Sequence, residues 1–250
     1  MTSPRWLDRY RAGQRQQVWH ELRQQGRTVR DKPDLAVEAQ LVCDEMAHRA
    51  RQNIEVLLER LTADGYAFHA NDDEQAVVPA HVPPTATAAE HADWLANQYT
   101  EIPMTVLSWV RLVGDVWLVG THPQWPASVS ADPLVIELEG SRDPDELSIR
   151  DYFQDEWTEL NDYNEEHGEA DVFVLPLAPD RLHKENTSGG PPYGIALPDG
   201  CVDGLFVGET ITPFVAYLNR VFETGGFPYS TGSPDEWRIK RDLARDLLPL

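Results

Sequence analysis

At 250 residues, with 41% hydrophobic content and eight tryptophans, the chain holds enough apolar material for a large folded core, which excludes wholesale disorder. Its 21 basic and 42 acidic residues leave a formal net charge of −21, a field that repels nucleic acid phosphates and favours a basic partner. No run approaches the roughly 18 apolar residues of a membrane span, and the opening "MTSPRWLDRYRAGQRQQ" is charged where a signal peptide is apolar, so a soluble, cytoplasmic chain is expected.

Taken in chain order, Ser3-Pro4 is a helix start, and Trp6, Tyr10, Trp19 and Leu22 recur at helical spacing as far as Gly26, with Gly13 weakening the middle. Asp34 is expected to cap a longer helix whose Leu41, Ala47, Ala50, Ile54, Leu57, Leu58 and Leu61 form one face before Gly65 stops it. The two make an N-terminal helical hairpin over 1–64, ahead of an α+β domain over 65–250. "YAFH" and "AVVP" are short strand candidates, and "PAHVPPTAT" reads as a linker because its prolines exclude a continuing helix. Thr87 caps "AAEHADWLANQYT", and Pro103 opens "MTVLSWVRLV", which Gly114 ends. Strands are expected in "DVWLVG", "DPLVIELEG", "DVFVLPLA", "YGIALP" and "GLFVG". The polar "IRDYFQDEWTELNDYNEEHG" reads as helical at most in part, "TPFVAYLNRVFETGG" as an amphipathic helix, and "SPDEWRIKRDLARDLLPL" as a last one. Helix pairs set apart from a strand cluster predict an α+β fold, with helices packed on a mostly antiparallel sheet.

The acidity is uneven. Residues 1–62 carry 11 basic and 9 acidic residues, leaving 10 and 33 for the remainder, and between Asp132 and Asp171 only Arg142 and Arg150 oppose 15 acids. A solvated face that aids solubility is the plain reading of such a run, and a surface for a cationic partner the functional one.

Motifs for chemistry are scarce. "HELRQ" at His20 begins like a zinc-protease helix, but Gln24 stands where the second imidazole is needed. His81 and His91 are split by prolines, while His69, His122 and His183 have no partner at metal-ligand spacing. Cys43 and Cys201 form neither a disulfide framework nor a thiolate site. Ser188 and Ser108 lie outside any nucleophile elbow. Asp151 with Asp155, and Glu156 with Glu159, could serve acid–base work, but such pairs arise by chance among 42 acids. "NDDE" and "DPDE" lack the glycine and terminal glutamate of a calcium loop. "HKENTSGGPPYG", 183–194, resembles a phosphate loop only superficially. Pro191 and Pro192 have no N–H to donate, and a strand, not a helix, follows, so it reads as a structural turn. Trp94, Trp109, Phe214, Tyr217 and Phe222 read as core. Trp125, between prolines in "THPQWP", either plugs the domain or faces a partner, with the plug favoured by the apolar area it must hide. No catalytic residue, cofactor site or metal site is expected.

The stretch "ADWLANQYTEIPMTVLSWVRLVGDVWLVGTHPQWP", followed by "ADPLVIELEG", resembles the core of the SUKH superfamily, which includes bacterial immunity proteins and fungal cell-wall synthesis regulators. The later "LHKENTSGGPPYGIALPDG" and "FVAYLNRVFETGGFP" fit a divergent bacterial branch, and the resemblance spans roughly 65 to 230. It implies an α+β domain that acts by binding, most familiarly by covering the active site of a co-produced toxin, often a nuclease. On that reading a basic protein, the cognate toxin, meets Asp151, Asp155, Glu156, Glu159, Asp162, Glu165 and Glu166. A metal-dependent hydrolase with an acidic cleft, or a regulatory scaffold, are the alternatives.

Overall fold

The computed structural model describes residues 5–141 and 148–250. The expected start at Ser3-Pro4 and the "DPDE" stretch at 143–146 lie outside them.

The single helix expected up to Gly26 is two, α1 (Trp6–Arg11) and α2 (Arg15–Gln25). The break falls at Gly13, whose φ of +94° is open to glycine at no steric cost. A short turn, α3 (Thr28–Asp31), leads into α4 (Pro33–Ala63), which at 1.5 Å per residue is about 46 Å long. Pro33 sits at its first position, where the missing N–H costs nothing. The cap position therefore belongs to Lys32, and Asp34 contributes instead its charge to the first turn. The buried stripe of α4 runs through Val42, Met46, Ala50, Ile54, Leu57 and Leu61. Leu41, expected on that face, is 42% exposed because Val42 and Cys43 take the inward angles.

Helices α5 (Ala88–Gln98) and α6 (Met104–Leu112) follow where expected, although Thr87 stands at the cap position of α5 without a side-chain capping bond, and α6 lies along α4. Gly114 ends α6 at a φ of +85°, where a Cβ would come within 2.2 Å of the Val82 carbonyl oxygen. Only glycine allows the chain to turn there against its neighbour.

The strands form three antiparallel sets: β1 (Ala67–Phe68) with β4 (Gly120–Thr121), β2 (His81–Val82) with β3 (Asp115–Trp117) and β5 (Val135–Ile136), and β6 (Phe173–Ala178), β7 (Tyr193–Leu197), β8 (Leu205–Val207) and β9 (Ile211–Pro213) in order. The His69 N–H to Val119 carbonyl bond, 3.2 Å, carries the β1–β4 ladder one residue further, and the Glu137 N–H to Leu177 carbonyl bond, 2.8 Å, joins the end of β5 to β6. Two expectations shift here. "AVVP" is not a strand, and the proline-flanked segment read as a linker supplies β2, an edge strand whose position tolerates prolines on either side.

The polar stretch after Ser148 is helical throughout, as α7 (Ile149–His167). Ser148 Oγ accepts the Arg150 N–H at its start, and Gly168 ends it at a φ of +66°. A short α8 (Arg181–Lys184), then α9 (Phe214–Glu223) and α10 (Glu236–Ala244) complete the chain. Residues after α10 leave the helical path and strap across two helices. Asn53 of α4 exchanges two hydrogen bonds with the Leu248 backbone, at 2.7 and 2.8 Å, and Asn219 of α9 accepts the Leu250 N–H at 2.8 Å. The fold is α+β, helices on antiparallel sheets. Buried side chains from Trp6 to Leu61 join one continuous apolar core with those from Tyr66 onward.

Candidate binding surface

Helix α7 is anchored by three apolar positions. Phe153 is fully buried, while Trp157 and Leu160 pack against the core half-buried. The Trp157 ring meets Phe173 of β6 edge-on at 4.9 Å and Tyr99 at 5.6 Å. At about 100° per residue, Asp151, Asp155, Glu159, Asp162, Glu165 and Glu166 fall within an arc of roughly 120° on the opposite side of the helix. All six are exposed. Glu156 stands at the border of this arc and is half-buried. None of the seven forms an ion pair with a described residue, and the helix's one arginine, Arg150, turns towards α5. Burial, reinforced by Glu159 and Asp155 nearby, raises the Glu156 pKa, as a face crowded with like charge must.

The start of α7 is fixed by a cluster that sequence reasoning did not assemble. His91 of α5 is buried, stacks on Trp94 at 5.4 Å, and hydrogen-bonds the Leu138 carbonyl through Nε2 at 2.6 Å. Arg150 Nε donates to His91 Nδ1 at 3.2 Å, with its guanidinium 5.1 Å over the Trp94 ring. A carbonyl can only accept and a guanidinium can only donate, so His91 is neutral with its proton on Nε2. Burial holds its pKa below the ordinary 6.5 and Arg150 adds to the depression, against the Leu138 bond and the carboxylates of Glu139 and Asp115. The stability this contributes is whole above pH 6.5 and declines as the pH falls towards the depressed folded-state value. Urea unfolding at pH 7.5 and 5.5 will therefore show a loss in the wild type that is smaller in His91→Gln, whose amide keeps both bonds and cannot charge.

The other sequence-singled positions resolve into structure. Asp180 caps α8, accepting from the N–H groups of Leu182 at 2.7 Å and His183 at 2.9 Å. A Cβ on Gly189 would fall 2.2 Å from its Oδ2, so the 183–194 loop wraps that carboxylate closely. Trp125 is 1% exposed and plugs the domain. Trp94 is half-buried, while Trp109, Phe214, Tyr217 and Phe222 are buried. Asp132 and Lys184 form an ion pair of 2.6 Å in which both side chains are almost wholly buried, and no local pattern in the sequence announces it. Among the described residues, no group of three or more His, Cys, Asp or Glu side chains is arranged to hold a metal, and no helix is long and apolar enough to cross a membrane.

An α+β protein with an acidic helix face that no described residue neutralises is what the fold and this surface define. No family model, curated protein or solved structure matches the chain.

Proposed function

We propose that this is a non-enzymatic binding protein that engages a basic protein partner through the outer face of α7, and that it acts as an immunity protein neutralising a cognate toxin, in the manner the SUKH resemblance implies. The observation that supports the reading is the division of α7 into two sides. Phe153, Trp157 and Leu160 fix the helix to the domain, and six exposed carboxylates that form no ion pair with a described residue point away from it. A fold that needed those charges for its own stability would pair them. Left open, they steer a cationic surface into contact and select against anionic ones.

The test is capture of partners from the cell that encodes the chain, comparing wild type with Asp155→Lys/Glu159→Lys/Asp162→Lys. Wild-type protein will retain a basic polypeptide, released by raised salt, and the triple variant will retain it at least tenfold less while melting at the same temperature. Co-expression of the captured polypeptide will be toxic alone and tolerated with the wild-type chain. Equal capture by the two forms would remove α7 as the contact.

A further inference from the structure

A groove of about 770 Å³, within the size range of small-molecule sites, runs between α2, α9 and the strap that follows α10. Arg15, His20, Arg23 and Arg220 line it with a single acidic side chain, Glu223, in a chain whose 42 acids outnumber its 21 bases two to one. Arg23 is committed to the buried Asp203 at 2.8 Å. Arg15, His20 and Arg220 form no ion pair and no side-chain hydrogen bond with a described residue.

Hydrogen-bond donors beside these cations are also unanswered. Trp19 lines the groove at 3% exposure, and its Nε1–H has no acceptor among the described residues. A buried donor is ordinarily paired, so this one points to an acceptor supplied from outside the chain. Helix α2 begins at the same groove with no capping side chain and no acid in its first turn, which leaves its first N–H groups and its positive end without a counterpart. The main-chain carboxylate of Leu250 borders the groove as well, but it accepts from Asn219 Nδ2 at 3.3 Å and pairs with no described cation.

Open donors and unpaired guanidiniums select an anion, and a planar carboxylate matches guanidinium geometry. Glu223 and the Leu250 carboxylate offset part of the positive charge, so a ligand with one negative charge suits the groove better than one with two. Ala216 and Pro249 add exposed apolar surface for the rest of such a molecule. We infer that the groove binds a small organic monocarboxylate, its charged end held among Arg15, Arg220 and the start of α2 and its apolar body against Ala216 and Pro249. None of these residues lies on α7, so this inference stands independently of the partner surface.

Calorimetric titration of the full chain at neutral pH with hexanoate, hexanol and hexylammonium separates charge from size. Hexanoate will bind with a dissociation constant of about a millimolar, and the other two will give no heat. Arg15→Gln and Arg220→Gln will each weaken binding by about fivefold without lowering the melting temperature, because neither side chain bonds a described residue. Glu223→Gln, which removes an acid from the lining, will tighten it severalfold, a gain that a purely structural residue would not give. Absence of hexanoate binding at tens of millimolar, equal binding of hexanol or hexylammonium, or an affinity unchanged in both arginine variants overturns the inference.

Discussion

Replacing Lys184 by methionine will cost about 3–5 kcal/mol of folding stability, the range found when one partner of a buried ion pair is removed. Lys184 is 1% exposed and Asp132 4%, and their 2.6 Å contact is the ammonium's one hydrogen bond to a described residue. Methionine fills much of the same volume and leaves the Asp132 carboxylate charged in a site with no replacement donor. Asp132→Asn strands the ammonium in the same way and will cost a similar amount. The double variant Lys184→Met/Asp132→Asn carries neither charge, and asparagine accepts the left-handed backbone at 132, so it will recover a large part of the loss. Urea unfolding of the four proteins gives the coupling directly, with m-values confirming a common denatured state. Additive losses in the double variant would mean that packing around the two side chains, not their charges, sets the cost.

Legibility of the fold followed how local each cause is. Pro33 and Gly65 bound α4, and Pro103 and Gly114 bound α6, because a missing N–H or a positive φ acts within one turn and can be read from neighbours in the chain. The edge strand β2 was not legible. Its two residues gain strand character only from pairing with Val116 and Asp115, while the surrounding prolines advertise a linker. Helix α7 was half-legible: Phe153, Trp157 and Leu160 recur at helical spacing, but with a single fully buried residue the apolar signal is faint beside its polar content. Its acids could be found by density, whereas their gathering on one side required knowing that the helix is continuous. The Asp132–Lys184 pair was not legible at all, since its two residues are 52 positions apart and meet only in the tertiary fold. The acidic aggregate charge was the plainest feature of the sequence, and the buried cation that answers one of those acids was the least visible.

Trp125→Ala will be the most damaging single truncation outside the helices, at about 3–5 kcal/mol. The side chain closes the gap between the strand core and the segment before α10. Its ring meets Phe227 edge-on at 5.3 Å, and Nε1 donates to Thr231 Oγ1 at 2.9 Å. Thr231 is itself held by Glu236, whose Oε2 accepts from both its N–H and its hydroxyl at 2.9 Å. Burial alone would raise the Glu236 pKa, but Lys240, 2.6 Å away, and Thr231 outweigh it and bring the carboxyl down to about 2. Lys240 completes the circuit 5.2 Å from the Trp125 ring. Alanine at 125 therefore empties a cavity and unseats the residues that order 230–236. Trp125→Phe keeps most of the apolar contact and loses the hydrogen bond, so about 1–2 kcal/mol is expected from it. Amide hydrogen exchange places the two effects. Trp125→Ala will raise exchange at Thr231 and along α10 more than in α4, whereas Trp125→Phe will leave α10 near its wild-type protection. A stability loss below about 1 kcal/mol for the alanine variant would show that the loop collapses onto the space and that Trp125 does not hold the domain closed.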